Sequence, residues 1–76
     1  MHLILYVKPG CHLCDEARLA ITHTGARIEL EARDITRDPN LMSRYGLRIP
    51  LLQRPDTGEE LDWPFGPAGI STLTLE

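Results

Sequence analysis

The sequence has few cysteines and no long apolar run, and each shortage excludes a class of protein. Only two of the 76 residues are cysteine, whereas small secreted domains usually carry several disulfides. No apolar stretch approaches the roughly 18 residues of a membrane span, and the N-terminal residues lack the basic and apolar regions of a signal peptide. We therefore expect a cytoplasmic protein that does not associate with a membrane.

Clustered positive charge is also missing. The formal net charge is -3, with 8 Lys and Arg residues against 11 Asp and Glu residues, and the arginines are scattered. Phosphate binding needs a clustered basic face, so we expect no nucleic-acid partner. Hydrophobic residues make up 42% and charged residues 25% of the chain, which is typical of a globular domain. With room for a single core, the sequence predicts one monomeric domain over residues 1–76.

Both cysteines lie in one Cys-x-x-Cys pair, Cys11 and Cys14, where a strand pattern gives way to a helical one. The apolar run at residues 3–7 indicates a buried strand, which we predict over residues 2–8. A helix is predicted over residues 11–24, with Gly25 as its stop. One face of that helix is expected to be apolar because four side chains recur at helical spacing: Leu13, Ala17, Ala20 and Ile21.

The start of a helix is a favourable place for a reactive thiolate. Its first turn presents unpaired backbone N–H groups and the positive end of the helix dipole to Cys11. Lys8 and a protonated His12 add positive charge, and such surroundings lower a cysteine pKa from about 8.5 to roughly 3.5–7.5. Cys14 lies one turn away, so it can attack a mixed disulfide at Cys11. The pattern indicates thiol–disulfide exchange.

The remaining sequence predicts a small α/β fold. Alternating residues at 28–33 indicate a second strand, parallel to the first. Asp38 and Pro39 mark the start of a second helix, which ends at Gly46. Apolar runs on either side of a turn at residues 55–58 predict an antiparallel hairpin. The tail predicts a short or frayed helix with Ile70 and Leu73 facing inward.

This order, β-α-β-α-β-β with a C-terminal helix, resembles the thioredoxin fold, and within it the small glutaredoxin-like proteins. The resemblance covers residues 3–65. It rests on Lys8 with the Cys-x-x-Cys pair, on the dipeptide at residues 49–50 before the third strand, and on a hairpin that ends at Trp63. It implies a four-stranded mixed sheet with flanking helices.

The resemblance also implies roles for individual residues. Cys11 would be the nucleophile and Cys14 the resolving thiol, with Pro50 as a cis-proline beside them. The backbone at Ile49 would pair with a bound thiol peptide like an added strand. Lys8 matches the lysine that glutaredoxins place three residues before the nucleophile. No bound cofactor is implied, and glutathione is the candidate reductant or co-substrate.

Two departures from the glutaredoxin pattern concern the substrate. Glutaredoxins usually carry Pro and Tyr between the cysteines, where this chain has His12 and Leu13. Arg48 stands where glutaredoxins have a threonine that binds glutathione, and the segment at residues 64–67 lacks their glycine pair. The planar guanidinium of Arg48 is suited to binding a glutathione carboxylate. Arg48 therefore joins Lys8, Ile49 and Pro50 as a predicted substrate-binding residue.

Three functions are compatible with this pattern. The first is a thiol–disulfide oxidoreductase that reduces disulfide-containing proteins or glutathionylated substrates and is regenerated by an external thiol or reductase. The second is a metal or iron–sulfur carrier. Because zinc usually takes four ligands and one chain has two thiolates, we predict no metal within one chain, and a cluster would be shared between two. The third is a docking domain without thiol chemistry.

Overall fold

The computed structural model describes residues 1–24 and 27–75 and confirms the predicted order of elements. None of the helices in those two ranges is long and apolar enough to cross a membrane. The elements follow in the order β1 (His2–Val7), α1 (His12–Thr22), β2 (Glu29–Asp34), a 3-10 turn (Ile35–Arg37), α2 (Pro39–Tyr45), β3 (Leu51–Arg54), β4 (Glu59–Asp62) and α3 (Pro67–Leu73).

The four strands form one mixed sheet in the order β2-β1-β3-β4, as predicted. β1 pairs with β2 in parallel, while the β1–β3 and β3–β4 pairs are antiparallel. Val7 lies opposite Asp34, and Leu51 lies between Tyr6 and Asp62. These residues lie at one end of the four strands, and we call this end of the sheet the upper edge. The loops that follow β1, β2 and β4 and the loop that precedes β3 all meet there.

The sheet has an apolar core on each face because successive residues of a strand point to opposite sides. On one face, Leu3 and Leu5 pack with buried residues of α1 and α3. On the other, Ile4 and Tyr6 pack with Tyr45 of α2 and with the 3-10 turn. Since both of its faces are covered, β1 is buried along nearly its whole length.

The first helix is turned slightly from the predicted orientation. Cys11 is the N-cap and the helix begins at His12. Cys14, Ala17 and Ile21 form its buried face, whereas Leu13, predicted to face inward, is 47% exposed. Residues 14, 17 and 21 share one side of an ideal helix, and residue 13 lies about 100° away from residue 14. The predicted stop at Gly25 falls outside the described residues.

The second helix begins as its sequence predicts and ends at the predicted glycine for a different reason. Asp38 is the N-cap, and its Oδ1 accepts a hydrogen bond from the backbone N–H of Asn40 at 2.8 Å. Gly46 keeps right-handed helical angles, so it does not supply a left-handed cap. A Cβ at this position would lie 2.5 Å from the Met42 carbonyl oxygen. Glycine is needed here for close approach.

The C-terminal tail folds into the predicted short helix. Ile70 and Leu73 are buried against the α1 face of the sheet, as predicted. The Trp63–Pro64 bond before this helix is cis, which the sequence analysis did not predict.

Arg54 ties the hairpin to the C-terminal helix. This arginine is only 7% exposed, and its Nη1 donates to the carbonyl oxygens of Leu73 and Leu75 at the end of α3. Its Nε and Nη2 donate to the two carboxylate oxygens of Asp56 in the turn, at 2.7 and 3.1 Å. A positive charge at the C-terminal end of a helix also complements the helix dipole. The sequence analysis assigned Arg54 no role.

We predict that Arg54→Met lowers the free energy of unfolding by about 2 kcal/mol, because buried carbonyl oxygens and Asp56 lose a charged donor. Arg54→Lys keeps the charge without the planar fork, so its loss should be smaller. Denaturant unfolding of the oxidised proteins, followed by Trp63 fluorescence, measures both. A loss below about 0.5 kcal/mol for Arg54→Met, the size of an ordinary surface change, would contradict this role.

The same contact predicts a pH dependence. The hydrogen bonds from Arg54 hold the pKa of the Asp56 carboxyl below its usual value of 3.8. A carboxyl whose pKa is depressed in the folded state stabilises the protein above its unfolded pKa and loses that effect as the pH falls through the folded value. The stability advantage of the wild type over Asp56→Asn should therefore be full at pH 6 and shrink below 3.8. A difference that stays constant down to pH 2 would contradict it.

Candidate active site

Cys11 and Cys14 form a disulfide at the upper edge of the sheet. Their Cα atoms are 5.2 Å apart, one helical turn along the chain. The loop between β1 and α1 brings them there, and its Gly10 has a φ of 72°, a left-handed angle that glycine adopts without strain. The chain can therefore turn sharply from the buried strand into the helix, which leaves the disulfide at the edge.

The backbone at the start of α1 contacts the sulfur of Cys11. The backbone N–H of Cys14 donates a hydrogen bond to Cys11 Sγ at 3.1 Å, so this sulfur takes the place of an N-cap oxygen. Cys11 is half-buried, whereas Cys14 is 3% exposed and belongs to the core. An incoming reagent therefore reaches Cys11 more easily than Cys14. This difference suits the roles that the resemblance implied for the two thiols.

The Ile49–Pro50 segment enters β3 at the same edge. Its peptide bond is cis, as predicted. Pro50 is buried and Ile49 is half-buried, packed against the core clusters on both faces of the sheet. Because β3 neighbours β1 directly, this segment lies beside the strand that leads into the disulfide loop. The structure thus brings the disulfide and the Ile49–Pro50 segment to one edge.

Lys8 and His12 are exposed on either side of the predicted nucleophile. Lys8 follows β1 directly, and His12 is the first residue of α1. Within residues 1–24 and 27–75, Lys8 forms no ion pair. Its charge is available to the loop that carries Cys11.

Arg48, the predicted contact for a substrate carboxylate, is held by two carboxylates of β4. Its Nε donates to Asp62 Oδ1 and its Nη2 to Glu60 Oε1, each at 3.1 Å. Its guanidinium carbon lies 5.9 Å from the centre of the Tyr45 ring. The sequence analysis missed Glu60 and Asp62. Their spacing on one strand was a usable signal, since residues two apart share a face.

Tyr45 completes this group. Its hydroxyl donates to Glu60 Oε2 at 2.9 Å, and its ring stacks on Tyr6 with centroids 4.3 Å apart. Burial raises the pKa of Tyr45 above its usual value, and the hydrogen bond to Glu60 raises it further. We call Tyr45, Arg48, Glu60 and Asp62 the Arg48 cluster. It joins the end of α2 to β4 just before the chain reaches Ile49.

A groove of about 500 Å³ opens on the β2 side of the upper edge. Its charges are balanced: Arg33 pairs with Glu31, and Arg37 lies 3.8 Å from Asp34. The groove is lined by Ala32, Arg33, Asp34, Arg37, Asp38 and Leu41. In the described part of the chain, no three His, Cys, Asp or Glu side chains converge as a metal site would require.

Comparisons with known proteins agree with this geometry. The family model of the glutaredoxin-like domain matches residues 2–73. The X-ray structure of the Northeast Structural Genomics target protein XcR50 from X. campestris is 41% identical, with a TM-score of 0.82 over 92% of this chain and 91% of that chain.

The solution structure of the same target is 42% identical, with a TM-score of 0.77 over 95% of this chain and 90% of that chain. A search of curated proteins found no match. Family model and solved structures both extend over nearly the full length, so the chain belongs to the glutaredoxin-like domain family and has its thioredoxin-like fold.

Proposed function

We propose that this protein is a thiol–disulfide oxidoreductase in which Cys11 and Cys14 alternate between dithiol and disulfide. The observation that carries the proposal is the unequal pair at the start of α1, with a half-buried Cys11 that caps the helix and a buried Cys14 one turn behind it. A purely structural disulfide would not need an accessible sulfur at a helix N-terminus. A catalytic one does, because the attacking thiolate must reach its substrate.

The positions of the two sulfurs support a two-step reaction. In the reduced protein, the Cys11 thiolate attacks a substrate disulfide, forms a mixed disulfide and releases one substrate thiolate, which takes up a proton. Cys14 loses its proton and attacks the Cys11 sulfur, and the second substrate thiol leaves. The substrate gains two electrons and the protein is left with the Cys11–Cys14 bridge. An external thiol, such as glutathione, or a dithiol reductase restores the pair.

Other residues of the upper edge support these steps. The exposed Lys8 stabilises the Cys11 thiolate by its charge, in addition to the N–H groups of the helix start. The backbone at Ile49 and Pro50 receives the substrate chain beside the disulfide, in the manner of an added strand. We propose disulfide-containing proteins or glutathionylated thiols as substrates, and the cytoplasm as the compartment whose reductants regenerate the pair.

A redox titration tests the proposal. Equilibration with glutathione buffers, followed by alkylation and intact-mass analysis, should show a reversible two-electron transition at about -270 to -200 mV. Cys14→Ser should accumulate a mixed disulfide at Cys11, whereas Cys11→Ser should abolish turnover. Failure to form a reversible bridge would contradict the proposal. Metal analysis after anaerobic purification would then test the carrier alternative, and retention of the cellular role by Cys11→Ser would favour a docking domain.

The role of Lys8 has its own test. In a Cys14→Ser background, Lys8→Gln should slow the alkylation of Cys11 by iodoacetamide at pH 7 by roughly two- to fivefold, because the thiolate loses a nearby positive charge. Lys8→Arg is the matched control and should keep most of the rate. The pH–rate profile of Lys8→Gln should shift to higher pH. Coincident profiles for all three proteins would rule out an electrostatic role for Lys8.

A further inference from the structure

Three arginines near the upper edge have carboxylate partners within the protein. Arg33 pairs with Glu31, and Arg37 lies 3.8 Å from Asp34. Arg48 is shared between two carboxylates instead. An anionic ligand that approached this edge would therefore meet positive charges that already have negative partners.

The Arg48 cluster carries a net charge of -1. Arg48 contributes one positive charge, and Glu60 and Asp62 contribute two negative charges, while the Tyr45 phenol is neutral at pH 7. Asp62 and Glu60 occupy Nε and Nη2 of Arg48. A substrate carboxylate that bound the remaining Nη1 donors would lie beside these two carboxylates, and like charges at close range repel.

Other charges around the cluster and the cysteines do not reverse this sign. Arg44, whose guanidinium carbon lies 6.0 Å from the centre of the Tyr45 ring, and Lys8 are exposed and positive. Asp15 in the first turn of α1 and the neighbouring Glu16 are exposed and negative. These four charges cancel in number, so one negative charge is left over among the groups named here.

The cluster lies at the same end of the sheet as the disulfide loop, on the face that α2 covers. Asp62 is in register with Leu51, and Leu51 with Tyr6 of β1. Neighbouring strands lie about 4.8 Å apart, so Asp62 is roughly 10 Å across the sheet from Tyr6, and the chain continues from Tyr6 towards Cys11. The Debye length is about 8 Å at physiological salt and about 30 Å at 0.01 M, so the interaction should be strong at low salt and weak at high salt.

We infer that the Arg48 cluster makes this site select disulfides flanked by cationic groups and disfavour anionic ones, the glutathione disulfides among them. The inference rests on the proposed function and specifies its substrate class. The preferred substrate is a disulfide whose flanking residues carry lysine or arginine. Glutathione carries two carboxylates and one ammonium group. Of the two substrate classes proposed above, the inference therefore favours disulfide-containing proteins over glutathionylated thiols.

Three small disulfides that differ in charge test this. They are cystamine, which is dicationic, 2-hydroxyethyl disulfide, which is neutral, and dithiodiglycolate, which is dianionic. The second-order rate of the reduced protein with each is divided by the rate of a neutral model thiol, which removes intrinsic reactivity. We expect the normalised cystamine-to-dithiodiglycolate ratio to exceed one at 10 mM salt and to fall towards one at 500 mM salt.

The matched variants are Glu60→Gln and Asp62→Asn, which keep side-chain oxygens that can accept hydrogen bonds while removing the charges. Each should lower the cation-to-anion ratio by about two- to threefold at low salt, and the double variant by about fivefold. Glu29→Gln is the control. Glu29 lies opposite His2 in the β1–β2 register, at the other end of the sheet, so this variant should leave the ratio unchanged.

The outcomes separate the two proposals. If the neutral disulfide does not react with the reduced protein, the oxidoreductase proposal fails. If the neutral disulfide reacts but the charged pair shows no preference at 10 mM salt, or an anionic preference, the charge selection is wrong and the oxidoreductase proposal stands. The wild-type salt series tests the charge preference, and the single variants assign it to the Arg48 cluster. A cation-to-anion ratio that neither Glu60→Gln nor Asp62→Asn lowers would contradict the inference, because the net charge of -3 would then account for the preference.

Discussion

The pairing of β1 with a neighbour on each side is the constraint on which the rest of this structure depends. β1 binds β2 in parallel and β3 in antiparallel, and it is covered on both faces by apolar cores. Because of these directions, the loops after β1, β2 and β4 and the loop before β3 meet at one edge. The disulfide, the Ile49–Pro50 segment and the Arg48 cluster come from different parts of the chain and become neighbours through this pairing and through the β3–β4 hairpin.

At that edge, one hydrogen bond both caps helix α1 and contacts the sulfur of Cys11. Cys11 Sγ accepts the N–H of Cys14, so the sulfur caps the helix that holds the second cysteine. A thiolate is a better acceptor than a neutral sulfur, since hydrogen bonds to ionised groups are stronger. Under the proposed function, the same N–H would stabilise the Cys11 thiolate once the disulfide is reduced. Cys14 belongs to the core, behind Cys11.

The charges at this edge bear on the prediction that Arg48 binds a glutathione carboxylate. Arg48 occupies the position of a glutathione-binding threonine and has the right chemistry to bind a carboxylate, but two carboxylates of β4 already hold it. The same ion pairs anchor the segment that leads into Ile49. A residue predicted to contact the substrate thus also connects α2 to β4, and its net effect on the substrate depends on the partners the fold supplies.

Local features of the sequence were sufficient to predict much of the fold and the cysteine pair of the candidate site. The apolar run before Cys11, the spacing of Cys11 and Cys14, and the Asp38–Pro39 helix start are determined by residues within a turn or a strand of one another. The cis bond at Ile49–Pro50 followed from the family resemblance, and the structure confirms it. These features needed no knowledge of how distant elements pack.

Only the tertiary structure decided the partners of the buried and paired charges. Arg48 meets residues 12 and 14 positions later in the chain, and Arg54 meets carbonyl oxygens 19 and 21 positions later. Such contacts depend on strand pairing and on where α3 docks, which periodicity does not encode. The outward turn of Leu13 has the same origin, because the core selects which side of α1 is buried. The sequence by itself determined the Cys-x-x-Cys pair and its helix, whereas the packing of distant elements determined the charge that surrounds them.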